Sequence, residues 1–336
     1  MANEIDILEN ELRDRYPDVL DILLLDRTAS TKKQPRNIFF ATDNYKKIGP
    51  DYSFASPIRK ELITGRHGSV ITPRIKKSLA VQKSRSKDMA EVFTPAWVCN
   101  AQNNLVDNAW FGGEGVFNTE ITGKDGKSSW TTTKNKIAFP KGKTWQDYVK
   151  DNRMEISCGE APYITSRYDT TDGSVIPAGN RIGILDRKLR VVNENCDTRE
   201  AWLEAAGTAL KSTYAYEWQG DSLLIARESI LYAVLDNFCL KFDDVPDLES
   251  IKKFAGIISW NVWQMDGLKC VIPCSCKSKE VTEEPDLFAD PADRVKTRIE
   301  PCEGCAKDNI RKHNGIYCKI MDWEAGKQIK FVDMVK

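Results

Sequence analysis

The chain has no net charge with which to steer a partner: 49 Lys and Arg stand against 49 Asp and Glu. That balance excludes whole-molecule attraction to nucleic acid, so any such contact has to come from a local patch. Only two histidines occur, His67 and His313, which leaves little scope for imidazole acid–base chemistry. No apolar run approaches the roughly 18 to 20 residues that span a bilayer. The opening Met1-Ala2-Asn3-Glu4-Ile5-Asp6 is acidic and lacks the basic-then-apolar order of a secretory leader. A cytoplasmic protein with no membrane partner is the expectation. No internal repeat is visible. What is present suits a sizeable core: 41% of residues are hydrophobic and 29% charged over 336 positions, enough for one large domain or two ordinary ones.

Cysteines are not scarce, but in a reducing compartment they should not form disulfides. Six of the ten fall between Cys270 and Cys318, and clustering of this kind points to metal. Cys274-Ser275-Cys276 and Cys302-Glu303-Gly304-Cys305 are two close pairs with 25 residues between them. Each pair presents two thiolates from one turn, and two pairs complete a tetrahedron around Zn2+. Cys274, Cys276, Cys302 and Cys305 are therefore the expected ligands, with Cys270, His313 and Cys318 as alternates. A closed site of this type is structural and holds a loop-rich segment that lacks its own core. The nearby lysines and Arg311-Lys312-His313 could then touch DNA.

Along the chain, residues 4 to 15 suggest a short charged helix. Val19 to Leu25 and Asn37 to Thr42 are β-prone runs around a polar turn and predict a hairpin. Pro57 to Leu62 suits one or two helical turns. Arg74, Lys76, Lys77, Lys83, Arg85 and Lys87 then follow with no acid among them. Such a strip can neutralise DNA phosphates, and it reads equally well as a solvated helix face. Thr94 and Pro95 suit the N-cap and first position of a helix, behind which Trp97, Ala101, Leu105 and Ala109 have the spacing of a buried stripe. Residues 119 to 135 predict an exposed hairpin or loop, and order resumes at Trp145. Residues 154 to 157 and 214 to 218 are strand candidates. Between them, 164 to 197 carries Asp172-Gly173 and Gly179-Asn180 turn signals and reads as an insertion. Residues 198 to 211 predict an amphipathic helix capped by Asp197 or Thr198, 221 to 238 a long helix, and 254 to 264 a β-prone run. After Lys269 the composition changes to cysteines, lysines and acids. Three regions follow: 1–88, α+β with the basic strip; 89–269, a ligand-binding domain; and 270–336, a Cys-rich zinc-binding segment. The strand–helix alternation over 154 to 266 predicts an α/β, doubly wound, mainly parallel sheet, with ligands beyond the carboxyl ends of its strands.

Those strand ends carry a resemblance. Glu91-Val92-Phe93-Thr94-Pro95 is similar to the Phe-Thr-Pro turn of amino-methylating (N6-adenine) DNA methyltransferases. Glu155-Ile156-Ser157-Cys158-Gly159-Glu160-Ala161-Pro162-Tyr163 resembles that family's first-strand loop, Asp-Pro-x-Cys-Gly-x-Gly-x-Phe, with Ala161 and Pro162 as departures that should stiffen it. Glu217 resembles the acid ending the family's second strand, and Asp266 the acid ending its third. The chain from residue 20 onward also looks like bacterial proteins labelled as modification subunits of restriction systems. The resemblance implies a Rossmann-like methyltransferase fold that binds S-adenosylmethionine through Phe93, Thr94, Pro95, Glu155, Cys158, Gly159, Ala161, Glu217 and Asp266. The cofactor's ribose diol needs an acid, its adenine a polar partner and its amino acid end a tight loop. Glu217, Asp266 and the loop 158–161 would supply these in order.

The family's catalytic Asp/Asn/Ser-Pro-Pro-Tyr/Phe loop is missing, since the chain contains no Pro-Pro dipeptide. Glu160 and Tyr163, in Glu160-Ala161-Pro162-Tyr163, are the nearest candidates for its work. Two functions compete. One is the DNA-binding modification subunit of a restriction–modification or related phage-defence system, with a partner subunit completing catalysis. The other is a non-catalytic adaptor for DNA or protein, built on a methyltransferase-like sheet with a structural zinc. A nuclease reading has only Asp186-Arg187-Lys188, without a placed acidic partner.

Overall fold

The computed structural model describes residues 9–89, 91, 94–123, 126, 128–282 and 297–335. These form two compact units, Met1–Trp263 and Gln264–Lys336; the composition change in the sequence lies a few residues later, after Lys269. Among the described residues no helix is long and apolar enough to cross a membrane.

The first unit opens with helices α1 (Glu9–Arg15) and α2 (Val19–Leu24). The expected hairpin is not formed: Val19, Leu20, Leu23 and Leu24 are all buried on one helical face, and only Leu25 and Asn37 make a β-bridge. The 19/20/23/24 spacing serves a helix, and tertiary burial decides over β-propensity. A short helix α3 (Lys60–Ile63) and the basic helix α4 (Leu79–Met89) follow.

Helix α5 (Ala96–Phe111) departs most from expectation. Its start is capped from elsewhere, since Asp169 accepts the Ala96 N–H at 2.8 Å, whereas Pro95 is the N-cap residue and no side-chain cap bond forms there. Its supposed core stripe faces out, with Trp97 44% and Leu105 69% exposed. The buried face is polar: Asn100, Asn103 and Asp107. Asp107 accepts from Arg153 at 2.6 Å and from the Tyr148 hydroxyl at 2.9 Å, and it also pairs with Arg187. Asn100 adds an acceptor for Arg187 at 2.9 Å. Two buried guanidinium groups require acceptors, and this outweighs the apolar pattern of the helix.

An antiparallel hairpin, β1 (Asn118–Thr122) with β2 (Ser128–Thr132), occupies the region expected to hold a hairpin or loop. Helix α6 (Trp145–Lys150) starts at a Thr144–Asp147 capping box. Strand β3 (Arg153–Glu155) leads to α7 (Ile184–Asn195), α8 (Arg199–Lys211), β4 (Thr213–Glu217), α9 (Gly220–Phe242), α10 (Leu248–Asn261) and β5 (Val262–Gln264). Helix α7 is not part of an insertion: Leu185, Leu189, Val191 and Val192 are fully buried, as are Arg187 and Lys188. Thr198 caps α8 through the Ala201 N–H, as expected. Most of the β-prone run at 254 to 264 is helical instead, because Ile251, Phe254, Ala255 and Ile258 are buried at helical spacing.

The sheet runs β3-β4-β5 in chain order, with β3 and β4 parallel and Glu155 opposite Ala215. Among the described residues the first unit mixes helices with this three-stranded sheet and the two-stranded β1–β2 pair. A doubly wound sheet needs a reversal of strand order, and none occurs among the described residues. Buried Arg227 of α9 ties the layers together, donating to the carbonyls of Leu23, Leu25, Val262 and Ser259. These carbonyls end α2 and α10, where the backbone is electronegative. Burial pulls the Arg227 pKa down to about 9.

The second unit contains two antiparallel pairs, β6 (Lys279–Thr282) with β7 (Thr297–Glu300) and β8 (Lys319–Asp322) with β9 (Lys327–Lys330). The short helix α11 (Glu303–Lys307) lies between the pairs in sequence.

Two outcomes test this packing. Asp107→Ala strands two buried arginines and is expected to cost about 3–5 kcal/mol in urea unfolding. The second concerns Glu228 of α9, which is fully buried with neither carboxyl oxygen hydrogen-bonded among the described residues. Burial, then the neighbouring Glu9, holds its pKa well above the carboxylate range, and burial pushes Glu9 up to about 8. The native state therefore keeps protons that the unfolded chain releases above roughly pH 4.3. Stability is full below that pH and declines as pH rises toward the folded values, by up to about 1.4 kcal/mol per pH unit for each group. Glu228→Gln should unfold at higher urea than the parent, by a margin that widens from pH 5 to pH 8. A margin independent of pH would refute this account.

Candidate functional site

Strand β3 ends at Glu155 and β4 at Glu217, so two carboxylates leave adjacent parallel strands on the same side. The β3 loop is unusually contorted, with Ser157, Gly159 and Ala161 all at positive φ (48°, 55° and 60°). Ala161 adopts a left-handed conformation that glycine takes freely and that costs another residue about 1–2 kcal/mol. The turn thus holds Ala161 in a backbone conformation suited to glycine.

The loop is pinned at several points. The Cys158 N–H donates to the Tyr216 carbonyl at 2.9 Å and the Ala161 N–H to the Cys158 carbonyl at 2.7 Å. Glu217 joins the two turns: one carboxyl oxygen accepts the Gly159 N–H at 2.8 Å and the other the Gln219 N–H at 3.1 Å. Glu155 accepts from the N–H groups of Tyr163 and Ile164, at 3.4 and 3.2 Å. Burial pushes Glu217 up and Glu155 well up from the ordinary carboxyl range, and it raises the Cys158 thiol strongly.

These residues surround a cavity of about 1010 Å³ whose wall includes Thr94, Glu155, Cys158, Gly159, Tyr163 and Glu217. Of the sequence candidates, Pro95 and Ala161 are not on this wall, and Phe93 lies outside the described residues. Asp266 belongs to the second unit, where it accepts the Leu268 N–H at 3.1 Å and sits 3.5 Å from Lys269. Of the two catalytic candidates only Tyr163 lines the cavity, its hydroxyl donating to Gln102 at 2.5 Å. Glu160 is buried and already used, accepting from the Arg74 N–H at 2.6 Å and the Tyr168 hydroxyl at 2.7 Å. Sequence reasoning missed Phe54, Gln102, Trp218 and Gln219 on the wall. Trp218 and Gln219 directly follow a strand and could have been found by that rule. Phe54 and Gln102 carry no local signal.

The basic strip needs correction. Arg85 is buried and ion-paired with Glu91 and, at 2.8 Å, with Asp221. Lys77 lies 3.5 Å from the same Asp221 with its side chain only 8% exposed. Both are therefore withdrawn from any phosphate, and Arg74 is half-buried. Lys76, Lys83 and Lys87 remain exposed, and Lys87 reaches the cavity wall. Asp186, Arg187 and Lys188 are internal too: Asp186 accepts the N–H groups of Ser166 and Gly183 at 2.8 and 3.1 Å, and Lys188 donates to the Asp151 carbonyl at 2.6 Å.

In the second unit, Cys276, Cys302, Cys305 and His313 bring their ligand atoms within 4.8 Å of one another, a group that can hold a metal ion. His313 Nδ1 lies 3.6, 3.7 and 3.6 Å from the sulfurs of Cys276, Cys302 and Cys305. Three of the expected cysteines are in the group and Cys274 is not. It is exposed, at a left-handed turn (φ 55°), and His313 takes the fourth place. The other alternates, Cys270 and Cys318, are buried and joined to each other by a backbone hydrogen bond of 3.0 Å.

The supporting shell is specific. The His313 N–H donates to the Tyr317 hydroxyl at 2.9 Å, and that hydroxyl donates to the Ile310 carbonyl. The Asn314 N–H donates to Cys302 Sγ at 3.2 Å. Burial alone would raise Cys302, but the N–H groups of Asn314, Cys305 and Gly304 and the His313 ring bring it down to about 6. Gly304 is required by close approach, since a Cβ there would lie 2.6 Å from both the backbone N and Nδ1 of His313. Gly304→Ala should therefore weaken metal binding at least about tenfold, measured by Co2+ titration through its thiolate charge-transfer band. Unchanged affinity would show that the cluster is not the metal site.

No protein-family model matches this chain, and neither do the curated proteins or the solved structures with which it was compared.

Proposed function

We propose that this chain is the S-adenosylmethionine-binding, modification-type subunit of a DNA adenine methyltransferase or related restriction–modification assembly. One observation carries the reading. Thr94, Glu155, Cys158, Gly159, Tyr163 and Glu217, chosen from separate segments by their resemblance to that family, line a single cavity at the ends of adjacent strands. The cofactor, when bound, supplies an electrophilic methyl group. Glu217 is positioned to accept from a ribose diol, because its two N–H partners hold both oxygens in place and leave lone pairs over. The contorted 157–161 backbone gives close approach at the other end, and Tyr163 offers an aromatic face. Lys87 at the wall, with Lys76 and Lys83, is the remaining basic surface for a phosphate backbone. The catalytic loop comes from a partner chain in this reading, since Glu160 is committed to Arg74 and Tyr168.

The second unit is held by Zn2+ in this proposal. Tetrahedral zinc with bonds of about 2.3 Å to sulfur and about 2.0 Å to nitrogen sets sulfur and nitrogen roughly 3.5 Å apart, close to the 3.6, 3.7 and 3.6 Å found. Four protein ligands leave no open position, so the metal's role is structural.

The commitment of Glu160 also favours a second reading, a non-catalytic adaptor that retains the cavity. Calorimetric titration with S-adenosylmethionine, on the parent and on Glu217→Gln, tests the proposal. Micromolar binding that weakens at least about tenfold in a variant with an unchanged melting curve supports the cavity assignment. No binding at millimolar cofactor overturns it. Binding without transfer of labelled methyl to adenine in DNA, even with candidate partner subunits, selects the adaptor.

A further inference from the structure

We propose that Cys305 is a modification site: a nucleophilic thiolate that accepts alkyl groups from soft carbon electrophiles while its fellow ligands are shielded. The inference rests on the metal reading and goes beyond it, because a structural metal alone assigns no reactivity to any ligand. The four ligands are unequal. Cys302 is 4% and His313 9% exposed, whereas Cys305 is exposed and Cys276 half-buried. Cys276 is further covered by the backbone of Gly315, where a Cβ would come within 3.0 Å of its sulfur. Cys302 receives the Asn314 N–H at 3.2 Å, and such a bond withdraws electron density from sulfur and lowers its nucleophilicity. Cys305 Sγ lies 3.6 Å from His313 Nδ1, and among the described residues no backbone N–H donates to it or to Cys276. Cys305 is thus the most exposed residue of the group, and it lacks the N–H bond that Cys302 receives.

The chemistry is a displacement. A metal-bound thiolate carries no proton at neutral pH, so its lone pair is free to attack. The sulfur of Cys305 forms a bond to the electrophilic carbon, and the leaving group departs with the bonding pair. With an alkyl halide the products are a thioether and a halide ion, and no proton, oxidant or reductant is needed. The thioether is neutral and binds metal more weakly. Alkylation therefore removes one negative charge from the centre and loosens the loops that it holds.

The experiment uses the full chain equilibrated with Zn2+, its metal content measured first. Limiting iodoacetamide is added at pH 6.5, and labelled peptides are quantified by mass spectrometry. Cys239 of α9 is an exposed free thiol and serves as the internal reference. Cys305 is expected to label at least about tenfold faster than Cys239, and before Cys276 and Cys302. The same behaviour should persist in Cys274→Ala, which removes the exposed thiol near the group. Labelling of Cys305 no faster than Cys239, or after Cys276 or Cys302, overturns the proposal while leaving the metal reading intact. A chain that takes up no Zn2+ overturns both.

Discussion

The buried carboxylate of Asp107 is the contact on which most of the first unit depends. It joins α5 to Arg153 at the start of β3, to Arg187 of α7 and to Tyr148 of α6. Burying two guanidinium groups in a protein interior is tolerated only when acceptors are already in place. This explains why α5 turns its Asn and Asp residues inward and leaves Trp97 and Leu105 in solvent. It also fixes where β3 begins and hence where its carboxyl end, with Glu155, delivers the loop that lines the cavity. A similar arrangement, Arg85 with Asp221 and Glu91, binds α4 to the start of α9.

The cavity is therefore shaped by polar interior contacts as much as by apolar packing. Glu217 illustrates the point. Its carboxylate is partly a structural group, fastening the Gly159 turn to the Gln219 turn, and any ligand that uses it meets an acid already oriented. Burial raises both Glu217 and Glu155. The first is compensated by N–H donors from two turns, and the second by the loop that folds over it. Preorganisation of this kind reduces what a ligand must pay in ordering the site.

The second unit carries a Cys3His group that could hold a metal ion. Gly304 and Gly315 matter there because backbone must pass close to His313 and Cys276, and a methyl group would occupy that space. Recruitment of His313 in place of Cys274 follows from the same geometry. The left-handed turn at Cys274 exposes its thiol, while the Tyr317 hydroxyl draws the His313 backbone toward the cluster.

By itself the sequence singled out Thr94, Glu155, Cys158, Gly159, Tyr163 and Glu217 of the cavity wall and three of the four residues that could hold a metal ion. Strand ends, a Thr-Pro helix start and paired cysteines are local signals, legible without knowing what lies opposite. It also marked α8, the long helix α9 and the β1–β2 hairpin, whose periodicity or turn chemistry is local. What only the tertiary structure decided are the features set by distant partners. The inward face of α5 follows from Arg153 and Arg187, and the loss of Arg85 and Lys77 from the surface follows from Asp221. The helical state of Val19–Leu24 and of most of 254–264, and the choice of His313, belong to the same class. A charge near in sequence to other charges looks solvated, and an apolar run looks like a strand or a core face. Which of them is buried depends on the acceptor or surface that the fold brings to it, and short-range pattern carries no record of that.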